Sequence, residues 1–292
     1  MNLPADIISQ VAAGLSTELR RVVTIGSAMP LASGTFNNPC RITTNHGIFF
    51  LKWSSIPGDC FAREAEGLQA IAAVGRIRTP HVILANASLL LTEYVEQGRR
   101  PADFFEKFGH AFAMFHRAGR ADRHGFANNN SIGGTPQLND WCDDWVTFFR
   151  ERRLRYQVDL AVQNGYEQVR MPGERILDHL ERLIPHDGEP PTLLHGDLWS
   201  GNFLCSTAGE PILIDPACYH GHREADVAMA RLFGGFPPEF HRAYEEEWPL
   251  SAGHQERADI YNLYHLLNHL NLFGSGYLGQ CLDIMRRVAR VA

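Results

Sequence analysis

Lysine is almost missing from this chain: of 27 basic residues only Lys52 and Lys107 are lysine, and the rest are arginine. A basic surplus is missing too. The formal net charge is −6 over 292 residues, which leaves no electrostatic footprint for nucleic acid. No apolar run comes near the ~20 residues that a membrane helix needs, so no membrane span is expected. There is no CxxC pair, which removes the zinc-ribbon and thioredoxin-type readings. The six cysteines lie far apart, at 40, 60, 142, 205, 218 and 281, and such scattered cysteines are mostly small buried hydrophobes. Residues 1–15 carry Asp6 and neither lysine nor arginine, the wrong pattern for a secretory or mitochondrial signal. A cytoplasmic protein is the resulting expectation, with the oligomeric state left open.

What is present is ordinary globular material, 45% hydrophobic and 21% charged, enough for a large core. Residues 22–25 and 48–53 are rich in β-branched and aromatic side chains and read as strands. Between them the turn-rich stretch 33–39 reads as a loop. Residues 59–74 suit a helix ended by Gly75, and 82–85 and 89–93 suit two short strands. Gln97-Gly98-Arg99-Arg100-Pro101 breaks the pattern. Beyond it, stretches 104–118, 141–164, 174–183, 225–232 and 256–273 have helical periodicity. The expectation is therefore an α+β protein: a small β-rich N-terminal lobe with one helix over residues 1–97, and a larger, mainly helical lobe over 98–292.

Two short apolar runs inside the helical part each lead into an acid. His195-Gly196-Asp197-Leu198-Trp199-Ser200-Gly201-Asn202 follows the first, and Ile214-Asp215-Pro216 ends the second. Phosphoryl transfer from a nucleotide needs a carboxylate to orient a hydroxyl nucleophile, and oxygen ligands for Mg²⁺ on the polyphosphate. Asp197 fits the first role, and Asn202 and Asp215 fit the second. Lys52 stands inside the apolar run Ile48-Phe49-Phe50-Leu51-Lys52-Trp53, and the next helix carries Glu64. A lysine–glutamate pair of this kind holds the α- and β-phosphates in kinases. Glu66 competes with Glu64 for that part, although Glu64 lies one turn after Phe61. Backbone N–H groups of Ser33, Gly34 and Thr35, with the two hydroxyls, could cover phosphates. Glu93, Tyr94 and Val95, at the end of a strand beside the lobe junction, would offer backbone groups to adenine.

With these motifs the chain resembles the fructosamine kinase (ketosamine 3-kinase) family, in the aminoglycoside-phosphotransferase-like branch of the protein-kinase fold. The resemblance rests on His195 to Asn202 and on Ile214-Asp215-Pro216-Ala217-Cys218-Tyr219-His220-Gly221-His222-Arg223-Glu224-Ala225-Asp226. It rests further on Leu232-Phe233-Gly234-Gly235-Phe236 and on the block from Tyr261 to Gly274. It runs from about Ser33 to the C-terminus. The resemblance implies an ATP-dependent, Mg²⁺-requiring kinase in a protein-kinase-like two-lobe fold. Its substrate would be a ketosamine, free or as a glycated amine on a protein. Phosphorylation at the sugar O3 hydroxyl would destabilise the adduct and release the amine. By the same resemblance Asp226 bonds the backbone of the catalytic loop.

Other side chains admit two readings each. Trp199, two residues after Asp197, would stack on a sugar or prop the loop from the core. In the helix 257–273, Ile260, Leu263, Leu267 and Leu270 form an apolar stripe. Tyr261, Tyr264, His265 and Asn268 then either meet sugar hydroxyls or pack under a loop. His220 with His222, and His265 with His269, have metal-binding spacings but show no third ligand. Arg223 and Glu224 suit a local ion pair better than a substrate contact. A kinase of another small alcohol, aminoglycoside or choline, would need a cationic-amine site, for which Glu245-Glu246-Glu247 is the one candidate. A nucleotide-binding protein without turnover would have no need to keep Lys52, Asp197, Asn202 and Asp215 together.

Overall fold

The computed structural model describes residues 3–31, 37–184 and 188–288. It divides into two units, Met1–Pro101 with Phe203–Asp215, and Ala102–Asn202 with Pro216–Ala292. Elements are numbered in chain order.

The first unit holds α1 (Ala5–Leu19), β1 (Ile25–Pro30), β2 (Asn38–Thr44), β3 (Gly47–Trp53), α2 (Cys60–Val74), β4 (Val82–Ala85) and β5 (Leu89–Glu93). The strands form one antiparallel sheet in the order β1-β2-β3-β5-β4. Side chains alternate across it. Cys40, Ile42, Phe49, Leu51, Leu89 and Leu91 share a core with Ile7, Val11 and Leu15 of α1. Leu90, pointing the other way, packs with Phe61, Ala65 and Leu68 of α2. Lys52 pairs with Leu90 in register, so the same alternation turns the lysine toward α2.

Two expectations are corrected in this unit. It has two helices rather than one, because Ile7, Val11 and Leu15 recur at helical spacing and seal the outer sheet face. The unit also does not end at residue 97. The hairpin of β9 (Phe203–Cys205) and β10 (Pro211–Leu213) joins it through hydrogen bonds from Gly98 N to Cys205 O and from Leu213 N to Arg78 O, each 2.9 Å.

The second unit holds α3 (Phe104–Ala118), β6 (Asn130–Ile132), β7 (Thr135–Gln137), α4 (Trp145–Phe149), α5 (Arg155–Gln163), α6 (Arg170–Leu183) and β8 (Thr192–Leu194). After the hairpin come β11 (Tyr219–Gly221), α7 (Glu224–Leu232), α8 (Pro238–Glu247), α9 (His254–Phe273) and α10 (Leu278–Val288). A π-helical turn at Arg150–Leu154 joins α4 to α5. Phe104, Phe108, Phe112 and Phe115 line the inner side of α3 and are fully buried, each contributing roughly 1.5–3 kcal/mol. Phe108 meets Phe240 of α8 edge to face at 5.2 Å. Helix α9 runs through the main core, which it shares with α4, α5, α6 and α10. Strands β8 and β11 pair antiparallel, and β6 and β7 form a hairpin. Among the described residues no helix is long and apolar enough to cross a membrane.

Candidate active site

In the first unit Lys52 is only 5% exposed, and its Nζ lies 2.7 Å from Glu64 Oε1 and 2.6 Å from Asp215 Oδ1. Burial alone would lower the lysine pKa, but the two carboxylates outweigh it and hold the ammonium charged. For Glu64 burial dominates and raises the carboxyl pKa, with Lys52 opposing the rise and the nearby Asp215 carboxylate adding to it. The side chain of Asp215 is 45% exposed, and its backbone is left-handed with φ 53°, a conformation that aspartate tolerates better than most residues. Glu66 is engaged elsewhere, 2.6 Å from Arg63, so Glu64 partners the lysine. Glu93 binds Arg78 at 2.6 Å and donates its N–H to His81 O. Arg41 lies over the Tyr94 ring at 5.5 Å, and Val95 is half-buried. Ser33, Gly34 and Thr35 lie outside the described residues.

In the second unit β8 delivers the loop that carries Asp197. Two backbone groups of this loop donate to one buried carboxylate: His195 N to Asp226 Oδ2 at 2.6 Å, and Gly196 N to Asp226 Oδ1 at 2.8 Å. Burial would raise the Asp226 pKa, but hydrogen bonds and charge from His116, with the backbone donors, outweigh it and hold the carboxylate ionised. His116 reaches Asp226 at 3.3 Å and the Tyr244 hydroxyl at 2.8 Å. From the other side Ala217 N donates to His195 O at 2.8 Å. Gly196 has φ 81°, and a Cβ there would run into the Ala217 carbonyl oxygen. Leu198 is fully buried and anchors the loop. Asn202 Nδ2 donates to Asp197 O at 2.8 Å and to Asp197 Oδ2 at 3.0 Å. A half-buried carboxylate on a backbone pinned from both sides is suited to orienting a hydroxyl group.

The fructosamine kinase family model matches residues 7–290. The chain belongs to that family. A probable ketoamine kinase of Synechocystis sp. is 42% identical over 236 residues, 79% of either chain. The chloroplastic protein-ribulosamine 3-kinase of Arabidopsis thaliana is 37% identical over 280 residues, 93% of this chain and 83% of the other. A candidate fructosamine-3-kinase of Thermobifida fusca has a solved structure that fits with a TM-score of 0.87 at 31% identity, over 98% of this chain and 100% of that one. A thermostable mutant of an aminoglycoside phosphotransferase fits with a TM-score of 0.61 at 15% identity, over 96% and 98%, a likeness of fold alone. The α+β architecture is thus that of the kinase-like folds.

Within this fructosamine kinase family chain, the sugar-facing reading of α9 is corrected. Tyr261, Tyr264, His265 and Asn268 are only 1–3% exposed, because the helix is enclosed on its polar side as well as its apolar one. Trp145 Nε1 donates to Tyr261 OH, Tyr264 OH to Gln137 Oε1, and Gln157 Nε2 to Asn268 Oδ1. Burial, with His269 nearby, pushes His265 down to about 3, so its ring is neutral. Trp199, by contrast, is 39% exposed and lies over Gly201, which removes the core-prop reading. The acidic run is neutralised locally: Glu245 binds Arg231, Glu246 lies by Arg242, and Glu247 binds Arg117. Arg223 is fully buried and bonds Glu189 through two nitrogens, while Glu224 bonds Arg257. Both contacts are structural, but each residue pairs with a partner distant in sequence rather than the two pairing locally. His220 stacks on Trp141 and His222 on Tyr261. Among the described residues no three His, Cys, Asp or Glu gather as a metal cage.

Proposed function

We propose that this chain is an ATP-dependent kinase that phosphorylates the O3 hydroxyl of ketosamines, the fructosamine- or ribulosamine-type adducts of sugars with amines, and so initiates deglycation. The observation that carries the chemistry is Lys52 held between Glu64 and Asp215. The substrate class follows from relatives named ketoamine kinase and protein-ribulosamine 3-kinase. Glu64 keeps the Lys52 ammonium in place, and that ammonium holds the phosphates of ATP. Ser33, Gly34 and Thr35 cover them, and backbone groups of Glu93, Tyr94 and Val95 receive the adenine. Asp197 orients the sugar hydroxyl and takes its proton as the O3–phosphorus bond forms and the bond to ADP breaks. Positioning and charge neutralisation supply the rate, since the protein forms no covalent intermediate here.

Magnesium fits the donor set. It is usually held by one or two carboxylates together with substrate phosphates, rather than by an all-protein cage. Asp215, exposed at the end of the hairpin, and Asn202 are each candidate oxygen ligands for it. When bound, the ion neutralises charge on the phosphates. Trp199 is our candidate for the ring that stacks on the sugar.

The test is turnover of Mg·ATP against a panel of ketosamines, choline and aminoglycosides, run on the wild type and on Asp197→Asn. We expect ketosamines to be preferred, and the variant to bind ATP normally while turning over about 10²-fold or more slower. Preference for choline or an aminoglycoside would overturn the substrate reading. Near-normal turnover by Asp197→Asn would overturn the base.

A further inference from the structure

Arg153, on the π-helical turn after α4, is fully buried and has no carboxylate among its bonding partners in the described residues. Its charge is met by carbonyls and rings. Nη1 donates to Leu138 O at 2.6 Å and to Arg152 O at 3.0 Å, and the guanidinium lies 4.0 Å from the Tyr219 ring centroid and 4.6 Å from that of Phe148. Nη2 donates to Asn139 Oδ1 at 2.7 Å. A guanidinium can only donate, so this bond fixes which way the Asn139 amide points. Its Nδ2 must then donate, and it does so to Asn130 Oδ1 at 2.9 Å. Asn130 Oδ1 accepts a second bond, from Gln137 Nε2 at 2.8 Å. Asn130 Nδ2 is thereby turned to donate to Cys218 O at 2.8 Å. Gln137 Nε2 also donates to Ala217 O at 3.0 Å, while Gln137 Oε1 accepts from Tyr264 OH at 2.7 Å.

Every link in this chain of amides has one polarity, and donors end on the carbonyls of Ala217 and Cys218. Those two residues follow Asp215, and Ala217 is the residue whose N–H holds His195 O and whose carbonyl abuts Gly196. We propose that Gln137 is a positioning residue for the phosphoryl transfer. It fixes the Ala217 peptide, and through it the His195–Asp197 loop, with its donor orientation set by Tyr264 on one side and by Arg153, Asn139 and Asn130 on the other. The proposal rests on the reading of Asp197 as the base. It also gives the polar face of α9 a purpose: Tyr264 orients Gln137 instead of meeting the sugar.

The experiment compares Gln137→Met, which keeps volume and loses both polar atoms, with Gln137→Glu, which keeps shape and replaces the donor by an acceptor. We expect Gln137→Met to lower kcat by ~10-fold or more, because a displaced loop misplaces the base, with the KM for ATP within about twofold of wild type. For Gln137→Glu, kcat relative to wild type should rise as pH falls, because the protonated acid can donate to Ala217 O again. A merely structural role would lower the melting temperature and leave both readouts unchanged, and that result overturns the proposal. If Gln137→Met does not fold, Tyr264→Phe removes one hydroxyl and should lower kcat by ~3-fold; an unchanged kcat would refute the proposal equally. Asp197→Asn, assayed alongside, separates the two levels: activity there defeats the base assignment, whereas an inactive Asp197→Asn with a fully active Gln137→Met defeats only the role of Gln137.

Discussion

Replacing Gly196 by alanine attacks the loop that carries Asp197 at its tightest point. The residue has φ 81°, and an alanine in a left-handed conformation costs about 1–2 kcal/mol. The new methyl would also lie 2.8 Å from the Ala217 carbonyl carbon and closer still to its oxygen, where real Cβ atoms keep at least 3.0 Å. Neither side can yield cheaply, since both are backbone. Moving Ala217 strains its bond to His195 O and the bond it receives from Gln137, each worth about 1 kcal/mol net. The loss of stability should therefore be about 3–4 kcal/mol. The effect on rate should be larger in proportion. The shift needed is roughly 1 Å, a misplacement that can cost about 10²-fold. Urea denaturation measures the first quantity, and single-turnover phosphorylation of a ketosamine measures the second. Affinity for ATP, by calorimetry, should hardly move, because Lys52, Glu64 and Asp215 belong to the other unit. A folded Gly196→Ala enzyme with kcat within about threefold of wild type would refute the claim that this close approach positions Asp197.

Asp215→Ala should weaken Mg·ATP binding by about 10²-fold or more while the fold stands, and equal affinities in mutant and wild type by calorimetry would remove Asp215 from the metal site. Trp199→Ala should raise the ketosamine KM about tenfold with the KM for ATP unchanged; because the ring is 39% exposed, the loss of stability should stay near 2 kcal/mol, below the ~3–5 of a fully buried aromatic. An unchanged ketosamine KM would exclude it from the sugar site. His265 is held at about 3 by burial, against 6.5 in the unfolded chain. The stability it contributes is therefore complete above pH 6.5 and is lost as pH falls toward 3, with a slope of up to about 1.4 kcal/mol per pH unit. His265→Leu should flatten the pH dependence of urea stability by that slope, and an unaltered slope would contradict its neutral burial.

The cluster of Lys52, Glu64 and Asp215 was legible because its signals are local. A lone lysine in an apolar strand, a glutamate on the next helix and an acid at the end of each short run can be read without knowing which elements touch. Strand alternation then does the rest: with Leu51 toward α1, Lys52 must face α2 and meet Glu64. The helix α1 was legible in principle, since Ile7, Val11 and Leu15 recur at helical spacing. The hairpin Phe203–Leu213 was not. Its two strands are three residues each, and their membership in the first unit depends on bonds to Gly98 and Arg78, far away in sequence. The β6–β7 hairpin lay behind a similar screen, although Gly133-Gly134 between short runs is a hairpin signal.

The polar face of α9 shows why the remainder stayed hidden. A helix with apolar residues on one side and Tyr261, Tyr264, His265 and Asn268 on the other invites the inference that its polar side faces solvent or a sugar. That inference assumes that polar means outward. In water the assumption is sound, because burying an unpaired hydroxyl or amide costs a few kcal/mol. It fails where a second polar surface is buried opposite, so that Tyr261, Tyr264 and Asn268 find partners inside the protein. Here Gln137, Gln157 and Trp145 supply the partners. None of them shares a sequence window with α9, and no periodicity can couple positions 137 and 264. The pairing is visible only after folding, and what it holds is the carbonyl of Ala217, next to the loop that the sequence motif had already singled out.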